Sequence, residues 1–113
     1  MKKTILILLL VAIAAIGTHA ATKYQINVAG VEVTSDNASR ITGGDIMSGY
    51  GVYNASTNTL TLYNIYINRS GQDNYGVHNR GCDNLTIVFS GSGTVATSDN
   101  ALKLERSTTI KVA

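Results

Sequence analysis

The chain has one cysteine, no proline and no tryptophan, and only 14% of its 113 residues are charged. A single Cys82 cannot close an intrachain disulfide, so stability has to come from packing and hydrogen bonds. The scarcity of charge, and of the Ala, Glu, Lys and Leu mixture that helices favour, argues against a coiled coil or helical bundle. Disorder is excluded from the other side, because the aliphatic and β-branched content is too high and the net charge too low. What is abundant is Asn, Gly, Ser and Thr interleaved with Val, Ile and Leu, the composition of short strands joined by tight corners.

The first twenty residues read as an export signal. Lys2-Lys3 precede an apolar run from Ile5 to Ile16, and Gly17-Thr18-His19-Ala20 offers small residues for cleavage after Ala20. A retained membrane anchor is the competing reading, but twelve apolar residues are too short to cross a hydrocarbon layer of ~30 Å. A secreted protein is expected, extracellular or periplasmic, with no membrane contact after cleavage. Without Lys2 and Lys3 the mature chain has seven basic and seven acidic residues, and its formal net charge is zero. The basic residues are scattered, so nucleic acid is not an expected partner.

An internal repeat organises the rest. Tyr50-Gly51-Val52-Tyr53-Asn54 returns 25 residues later as Tyr75-Gly76-Val77-His78-Asn79. Leu60-Thr61-Leu62 returns as Leu85-Thr86-Ile87 and again as Ile110-Lys111-Val112, while Ala101-Leu102-Lys103 occupies the third Gly-Val-Tyr position. Apolar–polar alternation inside each copy marks strands, and Asn- and Gly-rich clusters between them mark corners. A period of this length is a solenoid signature, and three short strands per period describe one coil of a parallel β-helix. The predicted architecture is therefore all-β, a parallel β-helix of about three 25-residue coils. Residues 1–20 are the signal, 21–48 an N-terminal β-hairpin cap around Ala29-Gly30, and 49–113 the coils. The chain stops after an apolar strand, which suggests the front portion of a longer protein with an open C-terminal edge.

Stacking at the 25-residue offset predicts interior rows Val52–Val77–Leu102, Leu60–Leu85–Ile110 and Leu62–Ile87–Val112. Asn54 and Asn79 should then point inward. Tyr53, His78 and Lys103 should form an outward row, with Tyr50 stacked on Tyr75.

The segments Tyr24-Gln25-Ile26-Asn27-Val28-Ala29-Gly30-Val31-Glu32-Val33-Thr34, Val52-Tyr53-Asn54-Ala55-Ser56-Thr57-Asn58-Thr59-Leu60-Thr61-Leu62 and Asn84-Leu85-Thr86-Ile87 resemble secreted bacterial right-handed parallel β-helix proteins described as carbohydrate-binding. The resemblance spans most of residues 24–112, and its motifs mark a coil and not a site. It implies a β-helix that binds polysaccharide or cell-surface glycan.

The candidate ligand-binding residues are Tyr50, Tyr53, Tyr75, His78 and Lys103. Tyrosine rings support the C–H faces of sugars, while Thr61, Thr86 and the corner amides meet sugar oxygens. The competing reading is that Tyr sits on exposed strands for propensity alone. His78 and Cys82 have a nucleophile-pair spacing, against the simpler reading of a strand residue and a turn residue. A polysaccharide-lyase fragment would have to draw on Asp73, Asp83, Asp99 and Arg80. No cofactor is expected, since no compact acidic cluster offers the six or more oxygens calcium takes. Catalysis is the minority expectation. The main alternative to glycan binding is a structural or adhesive segment that self-associates through its open end.

Overall fold

The computed structural model describes residues 20–113, and the predicted signal lies outside the described residues apart from Ala20. The described chain is all-β, with nine strands and no helix. They are β1 (Lys23–Val28), β2 (Val31–Thr34), β3 (Ile46–Asn54), β4 (Thr59–Arg69), β5 (Val77–Asn79), β6 (Leu85–Ser90), β7 (Thr94–Thr97), β8 (Leu102–Leu104) and β9 (Thr108–Val112). Two mixed sheets result, one ordered β2-β1-β5-β8 and the other β3-β4-β6-β9, with β7 added to β4.

The N-terminal strands β1 and β2 pair as an antiparallel hairpin, with Val28 opposite Val31. Ala29 and Gly30 both have positive φ (51° and 85°), the geometry whose twist suits a two-residue hairpin loop. The pairs that β4 to β9 form among themselves are parallel, while β5 also pairs with β1 in antiparallel sense. Leu60 lies beside Ile87, Tyr66 beside Thr94, Val77 beside Leu102, and Ile87 beside Ile110. Strand β4 serves two neighbours because it bends at Asn64 (φ 47°): its first half pairs with β6 and its second with β7. Gly91 (φ 76°) sits against that bend, where an added Cβ would collide with Asn64 Oδ1.

Alternation puts one side of each strand from β1 to β6 into a common core. Ile26, Val28, Val33, Ile41, Leu60, Leu62, Ile65, Ile67, Val77, Leu85 and Ile87 are buried. Burying each such side chain contributes roughly 1.5–3 kcal/mol. The inward rows differ from the predicted ones in two respects. First, β6 is displaced by two residues from the repeat register, so the rows run Leu60–Ile87–Ile110 and Leu62–Phe89–Val112, with Leu85 beside Thr108. A two-residue slip preserves facing, because the side-chain period of a strand is two, and the core therefore tolerates it.

The second difference is larger. Val52 does not stack on Val77; β3 is antiparallel to β4, with Tyr53 opposite Leu60, and the place beside Val77 is taken by Val28 of β1. The matching pentapeptides thus fold differently. Asn54 is exposed and its Oδ1 accepts bonds from Ser56 N and Oγ, folding residues 55–58 back into a hairpin. Asn79 is fully buried; it donates to the Cys82 carbonyl and Thr108 Oγ1 and accepts from Cys82 N, turning the chain from one sheet to the other. The facing is inverted as well. In β5, Val77 and Asn79 point in and His78 out, whereas in β3 Tyr53 points in, 7% exposed, and Val52 and Asn54 point out.

Candidate functional site

The outer face of the β2-β1-β5-β8 sheet gathers the polar side chains. Cross-strand pairing aligns Glu32, Asn27, His78 and Lys103 in one row. Arg80 braces the row, its Nε donating to Asn27 Oδ1 at 3.0 Å and a terminal nitrogen to Glu32 Oε2 at 3.1 Å. His78 Nε2 lies 2.5 Å from Glu105 Oε2. That contact holds the Glu105 carboxyl below the ordinary carboxylate value, the hydrogen bond being the largest cause.

Tyr75 stands where the chain enters β5. Its ring meets His78 edge-on at 5.0 Å between centroids, and the Lys103 ammonium lies 5.7 Å over the ring centroid. Such a cation–π contact is worth ~0.5–1 kcal/mol at an exposed site. The phenol donates to Asp73 Oδ1 at 3.0 Å, and this bond chiefly raises its pKa and keeps it protonated.

Beside these groups lies a polar hollow of about 220 Å³ bounded by Asn27, Arg69, Asp73, Asn74, Tyr75 and His78. Arg69 is its strut, with Nε on Asp45 Oδ2 (2.8 Å), Nη1 on the Tyr75 carbonyl (2.9 Å) and Nη2 on Asn74 Oδ1 (3.3 Å). The 70–74 loop is seated on the corner one repeat further on, where Gly71 N donates to Ser98 Oγ and Asp73 N to Asp99 Oδ2. The hollow therefore combines an aromatic ring, two amides, a carboxylate, an imidazole and a guanidinium. That is hydrogen-bonding chemistry suited to a ligand rich in hydroxyl groups.

Of the five candidate residues, three come together: Tyr75, His78 and Lys103. The predicted outward position of Tyr53 is corrected. Its ring is buried 4.7 Å from that of Tyr24, its hydroxyl donates to Asn58 Oδ1, and burial first, then Cys82, pushes its pKa up to about 12. Tyr50 does not stack on Tyr75 either; antiparallel pairing sets it against Tyr63, with ring centroids 5.1 Å apart. Asn27, Arg69, Asp73 and Asn74 had no repeat signal to mark them as one group, because they come from the hairpin, a strand end and a loop.

Residues weighed for catalysis have other engagements. Cys82 Sγ faces Asn58 Oδ1 at 3.0 Å while His78 engages Glu105, so the spacing of four does not assemble a nucleophile pair. Arg80 is paired with Glu32, and Asp83 faces Arg106 at 3.6 Å. Among the described residues no three His, Cys, Asp or Glu side chains come together as a metal-ligating group. Compared with known proteins, the chain matches no protein-family model, no curated protein and no solved structure.

Proposed function

We propose that this chain is a secreted, non-catalytic parallel β-helix module that binds a polysaccharide or cell-surface glycan through the outer face of the β2-β1-β5-β8 sheet. The winding is supported by the parallel pairing of the four strand pairs formed among β4 to β9, at separations from 23 residues (Ile87 to Ile110) to 28 (Tyr66 to Thr94). The antiparallel strands β1, β2 and β3 then act as the cap on the first coil.

The observation that carries the binding reading is Tyr75, flanked by His78 and Lys103, at the rim of the polar hollow. A sugar ring resting on the phenol would present its hydroxyls to Asn27, Asn74 and Asp73. A glycan array probed with purified mature protein tests this. Retention on at least one plant, host or bacterial polysaccharide, lost in Y75A, is the expected result; no retention on any of them removes the proposal.

One observation favours a second reading, a structural segment that associates end to end. The inward rows finish in an apolar hollow of about 370 Å³ lined by Phe89, Val95, Leu102 and Val112 among others. Val112 is 83% exposed, and Leu104 and Ile110 are also open to solvent. An uncovered apolar strand edge invites pairing. Sedimentation separates the readings: association that grows with concentration supports end stacking, and a monomer at all concentrations removes it.

A further inference from the structure

The outer face of the other sheet carries an arrangement of different chemistry. One cross-strand row runs Tyr50, Tyr63, Ser90. The Tyr50 and Tyr63 rings are nearly parallel, 26° apart, and the Arg40 guanidinium lies 4.2 Å over the Tyr50 centroid. Arg40 precedes Ile41, which bridges Gly51 on the side of β3 away from β4. The order across the face is therefore Arg40, Tyr50, Tyr63, Ser90. This stack is closed at one end by a cation. At the other end Tyr63 meets a serine, too small to cover its ring, so the next layer of the stack is open.

The floor beside it is uncharged until its far edge. Thr61, Val88 and Lys111 form the adjacent row, and Thr59, Thr86 and Thr109 the one after. None of these rows contains a carboxylate. Of the seven basic residues described, Lys23, Arg69, Arg80 and Arg106 face carboxylates. The other three, Arg40, Lys103 and Lys111, have no ion-pair partner among the described residues; Lys103 lies over Tyr75 on the opposite sheet, and Arg40 and Lys111 belong to this face. The described residues, with seven basic and seven acidic side chains, thus present one face of positive sign, while the opposite sheet mixes Glu32, Arg80, His78, Lys103 and Glu105.

We infer that this second face binds an acidic polysaccharide whose rings carry carboxylates, as uronic-acid polymers do. A sugar ring continues the aromatic stack over Ser90 against Tyr63. Its carboxylates, and those of neighbouring units, meet Arg40 and Lys111, and the threonine hydroxyls meet ring oxygens. Charge complementarity selects the anion, and the ring-stacking slot selects a sugar polymer. Two cations separated by four strand spacings of ~4.8 Å are too sparse to neutralise a nucleic-acid backbone. The inference shares a ligand class with the proposed function but uses different residues.

The test is titration of the full mature chain with polygalacturonate and with a neutral galactan, at low and high salt. Polygalacturonate binds, salt weakens it, and R40Q/K111Q lowers its affinity by roughly fivefold, the sum of two exposed ion pairs. Y63A lowers it as well, and R40Q/K111Q leaves the array-identified glycan of the opposite face unaffected. Since both charge substitutions are at the surface, an unchanged circular dichroism spectrum secures the comparison. Equal binding of wild type and R40Q/K111Q, equal affinity for the neutral galactan, or equal binding of duplex DNA overturns the inference. So does loss of polygalacturonate binding in Y75A with none in Y63A, which places the acidic polymer on the other face. Polygalacturonate binding that depends on Arg40 and Lys111, with no effect of Y75A on any glycan, upholds this face and removes the first.

Discussion

His78 Nε2 lies 2.5 Å from Glu105 Oε2, tying strand β5 to the corner that follows β8. The bond lowers the Glu105 carboxyl from its ordinary value of 4.5, and the sign of its pH dependence follows. A carboxyl depressed in the folded state adds stability above its unfolded value, and that stability is lost as pH falls through the depressed one. A pH titration followed by the Glu105 carboxyl carbon resonance is expected to give a midpoint below 4.5, returning upward in H78A. Identical midpoints in the two proteins would contradict the pairing.

Tyr53 titrates in the opposite window. Burial pushes its phenol from 10.0 to about 12, so the folded state retains the neutral form. Its contribution is present below the unfolded value and lost as pH rises through about 12. Absorbance of phenolate against pH should show a step near 12 that Y53F lacks. Y53F also loses the 2.7 Å bond to Asn58 and should cost about 1 kcal/mol in urea unfolding. A Tyr53 step at 10 would place the ring on the surface.

Asn79 is the polar group with most at stake in the core, holding three hydrogen bonds at zero exposure. N79A strands the Cys82 amide and opens a void, at an expected cost of ~2–3 kcal/mol. N54A, at an exposed turn, should cost no more than ~1 kcal/mol. Equal losses in denaturant unfolding would indicate that the two asparagines play the same part.

The interior rows predict coupling. I87A should cost ~2–5 kcal/mol, and a double-mutant cycle of L60A with I87A should show an interaction of ~0.5–1 kcal/mol or more. L60A with a substitution at Ile110, two strands away, should be nearly additive. Additivity for both pairs would remove the Leu60–Ile87 contact.

Strand positions and the β1–β2 hairpin were legible because they rest on local signals, period-two alternation and the Ala29-Gly30 turn. His78 beside Lys103 was legible too, since β5 and β8 keep the 25-residue offset. The first copy was not. Tyr50 to Asn54 carries nearly the same residues as Tyr75 to Asn79, yet the four residues after Asn54 close a hairpin and those after Asn79 turn a corner. Which side chain of each pentapeptide points inward is decided by the sheet it joins, and period-two patterning alone does not fix that choice. The hollow was hidden for a related reason: Asn27 and Arg69 are 42 positions apart and share no motif.

Nuclear Overhauser contacts across β1, β5 and β8 in the isotope-labelled protein test the arrangement on which the proposed glycan-binding face depends. Backbone contacts that set Asn27 beside His78 in antiparallel sense and His78 beside Lys103 in parallel sense are predicted. Contacts placing Tyr53 next to His78 instead, or an antiparallel pattern between β5 and β8, would contradict it.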